Sequence, residues 1–228
     1  MKKNILNLSA IAMIALASVF TGCKKDDITP PVVTLTGNAS MTISLQGTYN
    51  ELGATATDDK DGTITPVASG TVNTNLTGTY TITYTATDAA GNVGTATRSV
   101  IVQNDAFALA GTYGVSENIS GTIYTFPQTV SVSTTVNNRV EFNKFANYAN
   151  NTSIYVMLTG TSINLPSQTA TSIGTDNGGA CDVSDHTFVS QSGNTTTGGF
   201  VITFTDTQVG PGSCTSSPLS CVDTYTKQ

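Results

Sequence analysis

Apolar and polar residues alternate strictly along residues 78–87 of this chain. From Tyr80 onward the even positions hold Tyr, Ile, Tyr and Ala, whereas the odd positions hold only Thr. Because successive side chains of a β-strand point to opposite faces, this period of two predicts an antiparallel strand with one buried face. Shorter runs of the same kind, bounded by Gly, Asn, Asp or Pro, follow along the chain, so the pattern predicts an all-β protein.

The predicted strands form two groups, and Gln103-Asn104-Asp105 separates them. In the first group, turn residues recur roughly every eight to twelve positions, which favours a small β-sandwich over residues 30–103. Its predicted strands are residues 32–35, 42–45, 54–57, 64–68, 78–87 and 98–102.

The second group occupies residues 106–228 and shows no helical periodicity. Roughly eight strands predict a small antiparallel β-barrel or sandwich, and closure into a barrel would remove exposed sheet edges. A barrel of about eight strands is filled by its own side chains or holds one small ligand, and the sequence leaves both open. The predicted strands are residues 110–117, 123–126, 129–133, 139–142, 153–158, 162–166, 187–189, 200–204 and 222–225.

The N-terminus has the layout of a secretory signal, with Lys2 and Lys3 ahead of a short apolar stretch. A retained membrane anchor is the alternative, but a spanning helix needs about 20 apolar residues. Residues 20–23 (FTGC) resemble the lipobox of bacterial lipoproteins, although Phe20 stands where an aliphatic residue is usual. The resemblance implies a signal peptide over residues 1–22, lipidation of Cys23 and a lipidated tether over residues 23–29.

Residues 24–27 (KKDD) resemble the charged signal that directs some Bacteroidetes lipoproteins to the outer face of the outer membrane. A solvated linker without further meaning is the alternative, since short charge runs are usually just that. The expected location is the outer membrane, facing the exterior, and the lipid on Cys23 makes the membrane an expected partner.

A further resemblance covers most of the first group of strands. The segments that carry it are residues 30–35 (PPVVTL), 49–58 (YNELGATATD), 61–65 (DGTIT) and 78–92 (GTYTITYTATDAAGN). They resemble the bacterial Ig-like domain DUF5011, which is also found in a Cry22-type pesticidal crystal protein. The resemblance implies a seven-stranded Ig-like sandwich that serves as a spacer or adhesion module, without catalysis. The order of the parts resembles Bacteroidetes lipoproteins in which a lipocalin-like barrel of unassigned function follows the Ig-like domain. The residues that carry this resemblance are 111–113, Glu117, 140–145 and 163–168.

The chain is acidic, with 9 basic and 15 acidic side chains. Loss of residues 1–22 would remove two lysines and no acids, which leaves 7 basic against 15 acidic groups and a net charge of −8. Such a chain has no electrostatic footprint for nucleic acid, so no nucleic-acid partner is expected.

Carboxylates gather at one predicted end of the sandwich. In an Ig topology, Asp58 and Asp61 lie at the same end as Asp88, close to where Asp27 enters the domain. Ca²⁺ prefers six to eight oxygen ligands, so Asp58, Asp61 and Asp88 are candidate calcium ligands. The alternative is that these residues cap turns through their own backbone, and no other cofactor is expected.

Three cysteines fall in the second group of strands, so one of them is always left over. Outside the cytoplasm thiols tend to pair, and the short spacing makes Cys214 and Cys221 the favoured disulfide, with Cys181 left over. The single histidine, His186, could act as a general base beside Asp185, but a solvated loop position is the simpler expectation. Because no nucleophile elbow or phosphate loop accompanies it, the protein is not expected to be an enzyme.

Two function classes remain. In the first, the protein is a surface lipoprotein whose second module binds a glycan or another nutrient on an Ig-like stalk, with Tyr113, Tyr124, Tyr148 and Tyr155 as sugar-stacking candidates. In the second, it is a structural or adhesion protein that binds another envelope component.

Overall fold

The computed structural model describes residues 26–143, 145, 154–170, 185–209 and 219–228. Its regular structure is almost entirely β, with one short 3₁₀ turn at Phe107–Leu109. Within the described ranges, no helix is long and apolar enough to span a membrane. The predicted all-β class, an Ig-like sandwich followed by a second antiparallel domain, is confirmed. Cys23, Cys181 and Cys214 lie outside the described residues.

The Ig-like domain is a sandwich of two sheets. One sheet has the order β1-β3-β4, and the other has the order β2-β7-β6-β5 with β2 parallel to β7. The seven strands are β1 (Val32–Leu35), β2 (Ser40–Ser44), β3 (Ala54–Asp58), β4 (Gly62–Ile64), β5 (Val67–Ser69), β6 (Gly78–Thr87) and β7 (Val93–Gln103).

The alternating stretch forms the central strand β6, with the predicted bounds. Ile82, Tyr84 and Ala86 are all buried, at 4%, 3% and 1% exposure, because every second side chain faces the opposite sheet. β7 packs beside it and contributes Val100 and Val102 to the same core.

Arg98 is the largest fully buried side chain among the described residues, and it joins the two sheets. Its Nη2 donates hydrogen bonds to the carbonyl oxygens of Thr36 (2.7 Å) and Gly53 (3.1 Å). Its Nε lies 3.1 Å from Glu51 Oε1 without the angle of a hydrogen bond, so this contact is an ion pair. Burial opposes ionisation of Glu51, but the Tyr84 hydroxyl, the Gly53 amide and the Arg98 charge together lower its pKa.

The N-terminal segment lies against the start of β7. A Cβ added at Gly94 would lie 1.9 Å from the carbonyl oxygen of Pro31, so this crossing requires glycine. The Asn92 side-chain amide also donates to the Asp27 carbonyl oxygen at 3.1 Å. These contacts fix the N-terminal segment of the domain to the first residues of β7.

The second domain is a closed eight-stranded barrel, which decides between the barrel and the sandwich that the sequence left open. Its sheet order is β12-β11-β10-β9-β8-β16-β15-β14, and Ser162 pairs with Asn194 to close the ring. The extra strand β13 pairs farther along the long strand β14. The strands are β8 (Gly111–Ile119), β9 (Thr122–Val132), β10 (Arg139–Phe142), β11 (Tyr155–Thr159), β12 (Ser162–Asn164), β13 (Gln168–Ala170), β14 (Asp185–Thr196), β15 (Gly199–Val209) and β16 (Leu219–Lys227).

Aromatic rings fill the barrel interior. Phe200 stacks on Tyr225 at a centroid distance of 4.3 Å, and Phe145 lies 5.0 Å from Phe204 in a tilted contact. The interior rings, none more than 3% exposed, are those of Tyr113, Phe142, Phe145, Phe188, Phe200, Phe204 and Tyr225. Of the two alternatives for a barrel of this size, the described interior is the one filled by its own side chains.

Asn104 joins the two domains through a buried side chain, 1% exposed. Its Nδ2 donates to the carbonyl oxygens of Ser133 and Val136, both at 2.9 Å. Its Oδ1 accepts hydrogen bonds from the backbone amides of Ala106 (2.9 Å) and Asn138 (3.0 Å). The residue expected to separate the domains therefore ties the end of β7 to the β9–β10 loop.

Candidate functional site

Two of the three predicted calcium ligands, Asp58 and Asp88, cap turns. Asp58 Oδ1 accepts from the backbone amides of Lys60 (2.8 Å) and Asp61 (3.0 Å). Asp88 accepts from the Asn92 backbone amide and side chain, both at 2.7 Å. Burial opposes ionisation of Asp88, but these bonds outweigh it and lower its pKa.

The loops that carry these acids do meet. Asp61 Oδ2 accepts a hydrogen bond of 2.6 Å from the Ala89 amide, as expected for loops at one end of an Ig topology. Among the described residues, however, the set of three carboxylates whose oxygens all lie within 4.8 Å of one another is Asp27, Asp58 and Asp59. The Lys60 ammonium lies 2.8 Å from Asp59 Oδ2, and the charges of Asp59, Asp27 and Asp58 all raise its pKa.

A second cluster, which the sequence analysis missed, lies inside one end of the barrel. We call it the polar cluster: Glu117 on β8, His186 on β14, Asp206 on β15 and Asp223 on β16. Their exposed fractions are 3%, 2%, 5% and 0%. Burial of several ionisable groups in one place is costly and often marks a functional site.

The expectation of a solvated loop position for His186 is wrong. The residue lies on β14 with its ring inside the barrel, and its Nδ1 is 2.8 Å and 3.1 Å from the two carboxylate oxygens of Asp206. The signal that could have revealed this is the alternation His186, Phe188, which places both side chains on one face of a strand. The same test applies to Asp206, which follows Phe204 at the same spacing.

Glu117 and Asp223 form the centre of the polar cluster. They are directly opposite residues of the antiparallel pair β8–β16. The Tyr225 hydroxyl donates to Asp223 Oδ2 at 3.2 Å, whereas Asp223 Oδ1 is buried without a hydrogen-bond partner. Burial, with a contribution from the Asp206 charge, raises the pKa of Glu117 to about 7. Burial and the Glu117 charge raise the pKa of Asp223 well above its usual range.

Cys221 lies beside this cluster and is buried, at 1% exposure. Burial raises the pKa of its thiol, and the charges of Glu117, Asp206 and Asp223 raise it further. Its predicted disulfide partner Cys214 lies outside the described residues, so the pairing stays a prediction.

The predicted tyrosine platform does not assemble among the described residues. Tyr113 points into the barrel and is 1% exposed, and the Arg139 guanidinium covers Tyr155 at 4.0 Å from the ring centroid. Tyr124 remains 42% exposed, and Tyr148 lies outside the described residues. A cavity of 330 Å³ lies at the domain junction beside Asn104, and no acid of the polar cluster lines it.

The sandwich topology agrees with a comparison against family models. Residues 33–102 match the bacterial surface protein Ig-like domain. The barrel lies outside this match. A comparison with curated proteins found no significant relative. Among solved structures, the lipoprotein BT2262 from Bacteroides thetaiotaomicron is similar, with 14% identity and a TM-score of 0.33 over 86% of this chain and 100% of that one.

Proposed function

We propose that the protein is a lipid-anchored envelope protein that displays a non-catalytic binding barrel on an Ig-like stalk at the outer face of the outer membrane. The observation that carries the proposal is the hydrogen-bonded junction at Asn104. A module that only linked the barrel to the membrane would need no such junction. A stalk that holds the barrel at a fixed distance from the membrane would need one. On this proposal the stalk is of the DUF5011 type and the barrel is lipocalin-like.

The packed interior favours the outer surface of the barrel as the binding surface. Phe200, Phe204 and Phe188 are fully buried, so a glycan would find little room between them. The scattered tyrosines supply no sugar platform among the described residues, since only Tyr124 offers an exposed ring. These features support the second function class, in which the barrel contacts another envelope component, over binding of a glycan or another nutrient.

Replacement of Cys23 by alanine should release the protein from the membrane. A thioether at Cys23 is the expected attachment point, and stable anchoring takes two or more acyl chains. We expect the wild-type chain to incorporate labelled palmitate, to sediment with outer membranes and to be cut by protease added to intact cells. The Cys23→Ala variant should lose the label and appear in the soluble fraction.

Cys181→Ala is the matched control, because it removes a cysteine outside the lipobox and should keep the label. Retention of palmitate by Cys23→Ala would contradict the anchor.

To separate the two binding classes, purified full-length protein would be applied to a glycan array and crosslinked on intact cells. Binding to a defined glycan would overturn the preference for an envelope component.

Calcium binding at the tether end of the stalk is a further proposal. Asp27, Asp58 and Asp59 bring carboxylate oxygens within 4.8 Å, and Asp58 Oδ2 is buried without a hydrogen-bond partner. Oxygen ligands of this kind suit Ca²⁺, which would displace the Lys60 ammonium from Asp59. Millimolar calcium should raise the melting temperature of the wild type but not that of Asp58→Asn, which keeps an oxygen for the turn. Asp105→Asn, an exposed acid at the other end of the domain, is the control, and an unchanged wild-type melting temperature would refute the site.

A further inference from the structure

Two carboxyl groups of the polar cluster face each other inside the barrel. Glu117 and Asp223 are paired residues of neighbouring strands, and they are 3% and 0% exposed. Side chains at directly opposite positions have Cβ atoms about 4.5–5.5 Å apart. Two ionised carboxylates at that spacing, shielded from water, repel each other strongly.

The surrounding elements supply little positive charge. β15 contributes Asp206, and β14 contributes His186, whose Nδ1 already contacts Asp206. β16 itself adds the Cys221 thiol and the Tyr225 hydroxyl, and on β9 the residue opposite Glu117 is the exposed Tyr124. Among the described barrel residues, His186 is the one buried basic side chain, so three buried acids face one histidine.

Either protons or a bound cation could neutralise the excess negative charge, and the geometry favours protons. Within the described ranges, no three members of the polar cluster bring ligand atoms within 4.8 Å of one another, whereas the acids of the stalk do. A metal ion in this place would therefore have at most two side-chain ligands from the described residues. A proton needs only two oxygens, and Glu117 and Asp223 offer them across one strand pair.

We propose that Glu117 and Asp223 share a proton and that this carboxyl pair makes the β8–β16 seam the pH-sensitive part of the barrel. The shared proton gives the unpartnered Asp223 Oδ1 an O–H···O bond, while the Tyr225 hydroxyl holds Oδ2. Loss of the proton leaves two buried charges on neighbouring strands. The proposal does not depend on the function argued above, because it concerns the barrel interior.

The direction of the pH effect follows from the raised pKa values. Burial raises the pKa of Glu117 to about 7, whereas an unfolded chain has a glutamate pKa of about 4.3. The folded barrel therefore binds the proton more tightly than the unfolded chain does. The stability that this proton contributes is fully present below the pKa of Glu117 in the unfolded chain. It is lost as the pH rises through the pKa of Glu117 in the folded barrel. Between about pH 5 and about pH 8, we expect the folding equilibrium constant of the barrel to fall at least tenfold.

The test compares wild type, Glu117→Gln and Glu141→Gln as full chains. Amide hydrogen exchange of β16 reports on the barrel separately from the stalk. Glutamine keeps the shape of Glu117 and donates a permanent N–H to Asp223. Between about pH 5 and about pH 8, the logarithm of the folding equilibrium constant should therefore change less than a third as much in Glu117→Gln as in wild type. Glu141 is half-exposed on β10 beside Arg139, and its variant should behave like wild type. Equal pH dependence in Glu117→Gln and wild type would overturn the proposal.

A second measurement on the wild type keeps the test independent of how the variants fold. ¹³C NMR would follow the carboxyl carbons of Glu117 and Asp223 through a pH titration. An apparent pKa above about 6 for the pair supports the shared proton, since ordinary carboxyl groups titrate near 4. Titration of both carbons near 4 would overturn it.

Discussion

Replacement of Arg98 by alanine should lower the free energy of unfolding of the Ig-like domain by about 3 kcal/mol. The variant leaves the carbonyl oxygens of Thr36 and Gly53 without their donor, and it leaves Glu51 without its ion-pair partner. Removal of one partner of a buried pair costs about 3–5 kcal/mol, and the lower end applies because the Glu51 side chain is 27% exposed and can be hydrated in part. Urea denaturation, monitored through the tyrosine signal of the domain, measures the change.

Lys60→Ala provides the control for Arg98 within the same domain. The Lys60–Asp59 pair also has a short distance, 2.8 Å, but both side chains are more than half exposed. Exposed pairs of this kind contribute little, so the denaturation midpoint should not move. If Arg98→Ala unfolded at the same urea concentration as Lys60→Ala, the view of Arg98 as the link between the two sheets would be wrong.

Replacement of Phe200 by alanine should destabilise the barrel by about 3–5 kcal/mol. The Phe200 ring is fully buried, stacks on Tyr225 and has edge contacts with Tyr113 at 5.2 Å and Phe142 at 6.3 Å. Its neighbours come from three other strands, so they cannot collapse together into the space that the ring leaves. Thermal unfolding of the full chain should show the barrel transition shifted down while the Ig-like transition stays in place.

Val189→Ala is the matched control for Phe200 in the same sheet. Val189 lies on β14, which pairs with β15, but it points outward and is 43% exposed. Its truncation opens no interior cavity, so the change should stay within about 0.5 kcal/mol. If Phe200→Ala lowered the free energy of unfolding by less than about 1 kcal/mol, the interior would be loosely packed and would have room for a small ligand.

The sequence predicted strands well wherever alternation was regular. β6 has the predicted bounds, because its threonines and apolar residues leave one choice of buried face. The predicted strand 64–68 is instead two strands in two sheets, β4 and β5, since Pro66 between them has no amide to donate. The reverse occurs at Pro127, where two predicted strands form one strand, β9. Pro127 is tolerated because β9 pairs only with β8 at that point, the pairing with β10 being confined to residues 130–132.

Candidate sites were harder to predict than strands, because they depend on strand register. That Glu117 lies opposite Asp223 follows from the pairing of β8 with β16, two strands about a hundred residues apart in the chain. Ionisable residues are also expected at the surface, so the pattern alone favours a solvated position for His186. By contrast, the prediction that the loops of Asp61 and Asp88 meet needed only the topology of the sandwich, and the Asp61–Ala89 hydrogen bond confirms it.

The position of β7 has a mechanical consequence. β7 begins next to Asn92, whose side chain holds the tether at Asp27, and it ends next to Asn104, which holds the barrel. On the proposed function, tension between the membrane and a partner of the barrel would enter the domain through β1 and β2 and leave it through β7. Because β2 pairs with β7 in parallel, the hydrogen bonds of that ladder would be loaded together in shear and not broken one after another. On that proposal, the stalk would resist a pull at its two ends with the whole β2–β7 ladder at once.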